Sequence, residues 1–184
     1  LSPSVDRQAV AQGWLRDLGS AGLDGVMAKR GDLSYRSGTR DGMVKVKRLR
    51  TADCIVAGYR RSQTGGSIGS LLLGLTNDEG RVDHVGFAAS FTARERAALH
   101  EVLAPLEGGS GFTGRAPGGP SRWSAGRNTE WVPLDPRLVC EVRYDHYADG
   151  RFRHGTKFLR WRPDKALAQC TFDQVEPRRQ RSVL

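Results

Sequence analysis

A single helix interrupts a run of strands, and that interruption limits what the chain can fold into. Thr92 and Glu95 form a T-x-x-E capping box, in which hydroxyl and carboxylate each satisfy a backbone N–H at the helix start. Leu99, Val102, Leu103 and Leu106 follow at i, i+3, i+4 and i+7, the spacing of one apolar helical face. Three stretches with strand character precede it: Cys54 to Arg61, Ser70 to Thr76 and Arg81 to Ser90. The last two are joined by the turn-forming run Asn77-Asp78-Glu79-Gly80. Two more follow, Leu138 to Tyr147 and Arg153 to Trp161, connected through Asp149-Gly150, a strong hairpin signal. Residues 107 to 130 are rich in Gly, Ser, Pro and Arg, with Trp123 near the end, and read as a long surface loop.

Three strands, a helix and two strands are an order that a five-stranded OB-fold barrel accommodates, with its one helix between strands 3 and 4. The fold class is mainly β. An SH3-like barrel is the alternative, and the position of the helix together with the basic charge favours the OB-fold. The formal charge is +9 over 184 residues, which points to a polyanionic partner, nucleic acid first. Arginine accounts for 24 of the 29 basic residues, leaving five lysines, at 29, 45, 47, 157 and 165. Cys54, Cys140 and Cys170 make no CxxC pair, and the four histidines show no ligand spacing, so neither a zinc site nor a disulfide framework is expected. No apolar run is long enough to span a membrane, and a cytoplasmic, nucleoid-associated protein is the expectation.

The first fifty residues read differently. Val10, Trp14 and Leu18, beside Ala11 and Leu15, give one apolar face to a helix from Val5 to about Leu18, with Ser4 as its cap. A mostly apolar strand, Leu23 to Arg30, carries one carboxylate, Asp24, near its start. Then comes Met43-Val44-Lys45-Val46-Lys47. As a strand it sends both lysines to one face, about 6 to 7 Å apart, from which two cations can bracket a phosphate. A solvated amphipathic strand is the plainer alternative. One helix and two strands are too few to close a core, so residues 1–50 look like the tail of a larger domain, 51–176 like the barrel, and 177–184 like a basic tail.

The Asp24 strand, the Lys45/Lys47 strand and the late segment Arg160-Trp161-Arg162-Pro163-Asp164-Lys165, in this order, resemble motifs IV, V and VI of the ATP-dependent DNA ligases. Gly69-Ser70-Leu71-Leu72-Leu73-Gly74-Leu75, His84-Val85-Gly86-Phe87 and the RPDK segment resemble the bacterial type C enzymes in particular. The resemblance implies that residues 1–50 end a nucleotidyltransferase (adenylation) domain. It implies that the protein is part of an enzyme that seals nicks in duplex DNA, in DNA repair, through enzyme-AMP and DNA-adenylate intermediates. ATP and a divalent metal, Mg2+ or Mn2+, would be its cofactors. By the same resemblance Asp24 would help hold the metal, and Lys45 and Lys47 would contact the adenylate phosphate. Arg162 and Lys165, oriented by Asp164, would meet the pyrophosphate end of ATP. Two positions depart from the family pattern: Asp24 stands where Glu is usual, and Met43 where Trp is usual.

The family's nucleophile is the lysine of a KxDG motif, and no lysine here is followed by x-Asp-Gly. The expectation is a C-terminal portion that cannot adenylate itself and needs an N-terminal adenylation half as partner. A homodimer through residues 1–50 is open. Arg60 and Arg61 in the first barrel strand, and Arg115, Arg122 and Arg127 in the long loop, are candidate contacts to DNA phosphates, with a solvated basic face as the alternative. Trp123 and Trp131 are candidates for base stacking or for packing. Two other readings stay open: a non-catalytic OB-type nucleic-acid-binding module, and an mRNA-capping guanylyltransferase or RNA ligase.

Overall fold

The computed structural model describes residues 2–17, 25–47, 49–62, 66–118 and 130–176, and the chain divides between Arg50 and Thr51 into two compact units. In the first, α1 spans Gln8–Asp17, β1 Gly25–Lys29 and β2 Met43–Lys47. The helix begins later than its apolar spacing predicts. Arg7 O is its first acceptor, from Val10 N at 3.2 Å and Ala11 N at 3.3 Å, and Ser4 lies outside it. No residue of α1 is fully buried, and its apolar stripe, Val10, Ala11, Trp14 and Leu15, is half-buried, so packing does little to extend the helix toward Ser4. The strands β1 and β2 pair antiparallel, Val26 opposite Val46 and Met27 opposite Lys45. Both leave large apolar side chains in solvent: Val44 is 64% exposed and Met27 49%.

The second unit holds the core. Its strands are β3 (Arg50–Arg61), β4 (Ile68–Thr76) and β5 (Val82–Ala88), then α2 (Ala93–Leu103), then β6 (Val132–Tyr144), a short hairpin of β7 (Tyr147–Ala148) and β8 (Arg151–Phe152), and β9 (Lys157–Trp161). The five long strands form one sheet in the order β5-β4-β3-β6-β9. The sheet curls until its two edges meet. Thr156, just before β9, forms a parallel bridge with Ala88 of β5, its N–H donating to Phe87 O at 2.9 Å and its hydroxyl to the same oxygen at 3.2 Å. This strand order with a parallel first-to-last contact is the OB-fold.

The capping box forms as expected. Thr92 Oγ1 accepts from Glu95 N at 3.3 Å, and Glu95 Oε2 accepts from Thr92 N at 2.6 Å. Leu99 and Leu103 are buried, whereas Val102 is 40% exposed. Leu106, the last residue of the predicted face, also packs against the core, from a 3-10 turn (Ala104–Leu106) with Pro105 in its first positions. Arg96 fastens the helix start to the sheet, its guanidinium donating to Phe91 O and Ile68 O.

Three features differ from the sequence reading. The strand β6 starts at Val132, six residues before Leu138, and runs through Pro133 and Pro136. Prolines are tolerated there because the facing segment calls on carbonyls: Pro133 O accepts from Gly108 N at 3.1 Å and Leu134 O from Gly111 N at 2.9 Å. That facing segment, residues 107–118, is the first half of the expected surface loop. It lies on the surface as expected but is anchored in its middle, with Phe112 buried and in edge contact with His84 at 5.3 Å and Trp131 at 5.4 Å. The rest of that loop, Trp123 included, lies outside the described residues, as does the basic tail. Finally, Asp149-Gly150, with φ of 54° and 72° as a type I′ turn requires, directly closes only the small β7–β8 hairpin of two residue pairs, and β6 and β9 pair beyond it.

Trp131 packs where β3 offers no side chain. A Cβ placed on Gly58 would sit 2.7 Å from Trp131 Cε3 and 3.0 Å from Val132 O, and neither can yield cheaply. Gly58→Ala is therefore expected to cost about 1 to 3 kcal/mol through overpacking and to lower the melting temperature by at least about 3 °C, measured by thermal denaturation. An unchanged melting temperature would contradict the packing described.

Candidate functional site

The RPDK segment leaves the end of β9 and is tied down on both sides. Before it, Cys140 faces Trp161 across the β6–β9 ladder, and Arg162 N donates to Val139 O at 2.8 Å. After it, two 3-10 turns, Leu167–Gln169 and Phe172–Gln174, carry the chain back under the sheet. There Cys170 O accepts from Thr76 N at 2.7 Å and Leu167 O from Thr76 Oγ1 at 3.2 Å. The segment is held by the barrel rather than hanging from it.

Its side chains close into a four-charge cluster. Asp164 takes Arg162 in a two-pronged grip, Nε to Oδ1 at 2.9 Å and Nη2 to Oδ2 at 2.8 Å. From β3, Asp53 takes the remaining terminal nitrogen, Nη1 to Oδ1 at 2.8 Å, and its other oxygen lies 3.7 Å from Lys165 Nζ. Two-pronged guanidinium–carboxylate contacts fix geometry as well as charge. The hydrogen bonds to Asp164 hold the Arg162 guanidinium above its ordinary pKa. In return the Arg162 bonds hold the Asp164 carboxyl down at about 2. Arg162 and Asp53 are only 14% and 13% exposed, whereas Lys165 is 33% and Asp164 62% exposed. Next door on the ladder, Arg160 Nε donates to Glu141 at 2.7 Å, which lowers the Glu141 pKa.

Asp53 and its support Gln174 are the residues that motif reading missed. Asp53 N donates to Gln174 Oε1 at 2.8 Å, and Gln174 Nε2 donates to Asp53 O at 3.1 Å. The signal was there: one carboxylate inside the apolar run Ala52-Asp53-Cys54-Ile55-Val56 needs a partner when the strand is buried.

The other singled-out residues are distributed as follows. Lys45 and Lys47 share one face of β2, opposite Met27 and Gly25 respectively, and both are exposed. Arg61 lies over the Tyr59 ring at 5.5 Å and 3.9 Å from Glu107; Glu107 also accepts the Tyr59 hydroxyl at 2.5 Å. Burial, with help from Glu107, pushes the Tyr59 pKa up to about 12. Arg60 is half-buried, its Nε without a partner among the described residues, and burial lowers its pKa. Arg115 staples residues 107–118, a strap over the sheet, to the barrel, its N donating to Asp83 at 2.6 Å and its Nη2 to His84 O at 3.2 Å and to Gly150 O. His84 is a barrel histidine: burial, then the charges of Arg60, Arg151 and Arg115, lower its pKa to about 4, so it is neutral at neutral pH. The three cysteines are buried free thiols. Asp24, Arg122 and Arg127 lie outside the described residues. Among the described residues no three His, Cys, Asp or Glu side chains gather as a metal site, and no helix is long and apolar enough to cross a membrane.

Comparison with known proteins follows the same outline. Residues 64–165 match the family described as ATP dependent DNA ligase C terminal region. The chain is 49% identical to DNA ligase C1 of Mycolicibacterium smegmatis, over 91% of this chain and 49% of that protein. It is 40% identical to DNA ligase C of Mycobacterium tuberculosis, over 96% and 52%. It thus spans about half the length of these relatives. Among solved structures, the ligase domain of LigD from M. tuberculosis superposes with a TM-score of 0.55 at 30% identity, over 85% of this chain and 50% of that one. A Lig E DNA ligase, at 20% identity and a TM-score of 0.52, shares the fold.

The cluster has a pH signature. The Asp164 carboxyl is held below its ordinary value of 3.8, so its contribution to stability is present above about pH 4 and lost as pH falls through about 2. A 13C titration of the Asp164 carboxyl is expected to give a midpoint of about 2, returning toward 3.8 in Arg162→Ala. A midpoint near 4 in the unaltered chain would contradict the two-pronged pairing.

Proposed function

We propose, from the premise that this chain belongs to the family of ATP-dependent DNA ligase C-terminal regions, that it supplies the OB domain and the phosphate-handling strands of an enzyme that seals nicks in duplex DNA. The observation that carries this reading is the RPDK segment locked at the end of the barrel, two cations on a frame that moves as one piece. In it, residues 1–50 end an adenylation domain whose remainder holds the nucleophilic lysine, and residues 51–176 are the barrel.

Ligation moves charge onto phosphate oxygens at every step, and placed cations stabilise that charge. Lys45 and Lys47, side by side on β2, contact the adenylate phosphate. Lys165, the more exposed cation of the RPDK segment, meets the pyrophosphate end of ATP when the barrel closes over the nucleotide, a gating motion of the usual kind. Arg162, gripped by Asp164 and Asp53, sets the frame from which Lys165 reaches. The divalent metal expected of the family would supply further charge stabilisation. Its candidate ligand, Asp24, lies outside the described residues. On the barrel, Arg60 and Arg61, with Arg115, Arg122 and Arg127, are the candidate contacts to the DNA backbone, positioning without sequence readout.

The test is to join the chain to the N-terminal half of the M. smegmatis relative and assay nick sealing. Alone, the chain should take up no AMP by intact mass after incubation with ATP and Mg2+, and should prefer nicked duplex to single strands. The joined protein should seal nicks, and Lys45→Ala, Lys47→Ala or Lys165→Ala should each reduce sealing by about 100-fold or more, the size of effect seen when a placed charge-stabilising group is removed. An AMP adduct on the chain alone would overturn the division of labour. A joined protein that is inert and prefers single strands would favour a non-catalytic OB-type binding module.

A further inference from the structure

The RPDK cations are not poised in open solvent waiting for an anion. Each already has one, and the arrangement of Asp53 is specific. Its Oδ1 is 2.8 Å from Arg162 Nη1 and its Oδ2 3.7 Å from Lys165 Nζ, so one oxygen faces each cation, as two oxygens of a phosphoryl group would. With Asp164 on the other edge of Arg162, two cations meet two carboxylates and the cluster carries no net charge. The two acids are not equivalent. Asp164 is 62% exposed and comes from the turn itself, whereas Asp53 is 13% exposed on a central strand, its backbone fixed by both hydrogen bonds to Gln174. Asp164 can turn outward; Asp53 stays.

We infer that Asp53 is a positioning residue that acts as the resident counter-anion of Arg162 and Lys165 and limits how tightly the RPDK segment holds a phosphate chain. This rests on the reading of that segment given above and deepens it. A phosphate chain arriving at Lys165 shares the two cations with a carboxylate that cannot leave, so the attraction is real but diluted. The consequence fits a group that must be let go. Where pyrophosphate is the leaving product, a cation pair at full strength would hold product as firmly as it helped form it, and uniform binding of that kind does not accelerate turnover.

The experiment uses the full chain and inorganic pyrophosphate as probe, with binding followed by calorimetry. Asp53→Asn keeps an oxygen to accept from Arg162 Nη1 and removes only the charge. It is expected to bind pyrophosphate about tenfold tighter at low salt, the gain shrinking at high ionic strength as screening sets in. The double variant Asp53→Asn, Lys165→Ala should lose that gain. Equal or weaker binding by an Asp53→Asn chain that melts normally would overturn the inference, because a purely structural role predicts loss and never gain. Should Asp53→Asn not fold, the unaltered chain still decides. Titrating pyrophosphate should shift the 13C resonance of the Asp53 carboxyl together with the Lys165 side-chain signals. Movement at Lys165 without movement at Asp53 would overturn it.

Two further arms separate this inference from the reading beneath it. If Arg162→Ala and Lys165→Ala leave pyrophosphate affinity unchanged in both backgrounds, the RPDK segment is not a phosphate-chain site and the underlying reading fails, whatever Asp53 does. If Asp53→Asn tightens binding of nicked duplex but not of pyrophosphate, the anion concerned is a phosphodiester of the DNA backbone, and the assignment to a phosphate chain is overturned.

Discussion

The hydrogen bonds from Thr156 to Phe87 O join two edges that would otherwise lie at opposite ends of a five-stranded sheet. Without them the strand order β5-β4-β3-β6-β9 describes an open sheet with two edges to protect. With them the two edges meet at one point, and contact between edges is one way small all-β domains shield them. The side chain of Thr156 is itself buried, so both of its polar groups must be satisfied inside, and the same carbonyl takes them both. β9 starts one residue later. Trp161 then falls opposite Cys140, and Arg162 begins to turn beside Val139.

From that point the geometry of the charged cluster is determined by the strand at the centre of the sheet. β3 is bonded on both sides, to β4 and β6, and six consecutive residues of it are buried, as in strands covered on both faces. Such a strand cannot slide or twist to suit a charge at its end, so Asp53 is a fixed post. The chain after the RPDK segment wraps back to that same post through Gln174 and to the end of β4 through Cys170. A turn that would be mobile as a loop is thereby pinned at both ends and in the middle, which is how a site on connecting backbone gains the precision of one built on strands. The β1–β2 sheet is the opposite case: its lysines are aligned by register alone, on strands with no buried residue.

These differences explain what could be read from the residues and what could not. Strand order, the lone helix and its cap were legible because each has a local cause: alternation, the Thr92/Glu95 pair, the Asn77 turn. The lysine face of β2 was legible because period two dictates it. The lower half of β6 was not, since Pro133 and Pro136 speak against a strand unless one knows that the partner asks only for carbonyls. Nor was the anchoring of residues 107–118, because Gly and Ser there give no sign of it until Trp131 and Phe112 are seen lying against Gly58 and Gly74. Asp53 illustrates the deeper limit. Its ligand-like role depends on Arg162, 109 positions away, and no local pattern reports a contact of that separation.

Net charge is where local reading overreaches most. A surplus of +9 suggests a continuous basic footprint, yet several of the arginines are occupied inside the fold. Arg96 ties α2 to the sheet, Arg115 ties the strap to β5 and the hairpin, and Arg162 is enclosed between two acids. A guanidinium already neutralised by carboxylates, as Arg162 is, adds to the formal charge without adding an ionic contact of the kind on which salt-dependent binding depends. Other cations stand at the surface among the described residues, Lys45, Lys47 and Arg61 exposed and Lys165 partly so. Affinity for a polyanion then depends on which cations reach the surface rather than on their total, and the five-stranded sheet is the frame that places the barrel's share of them.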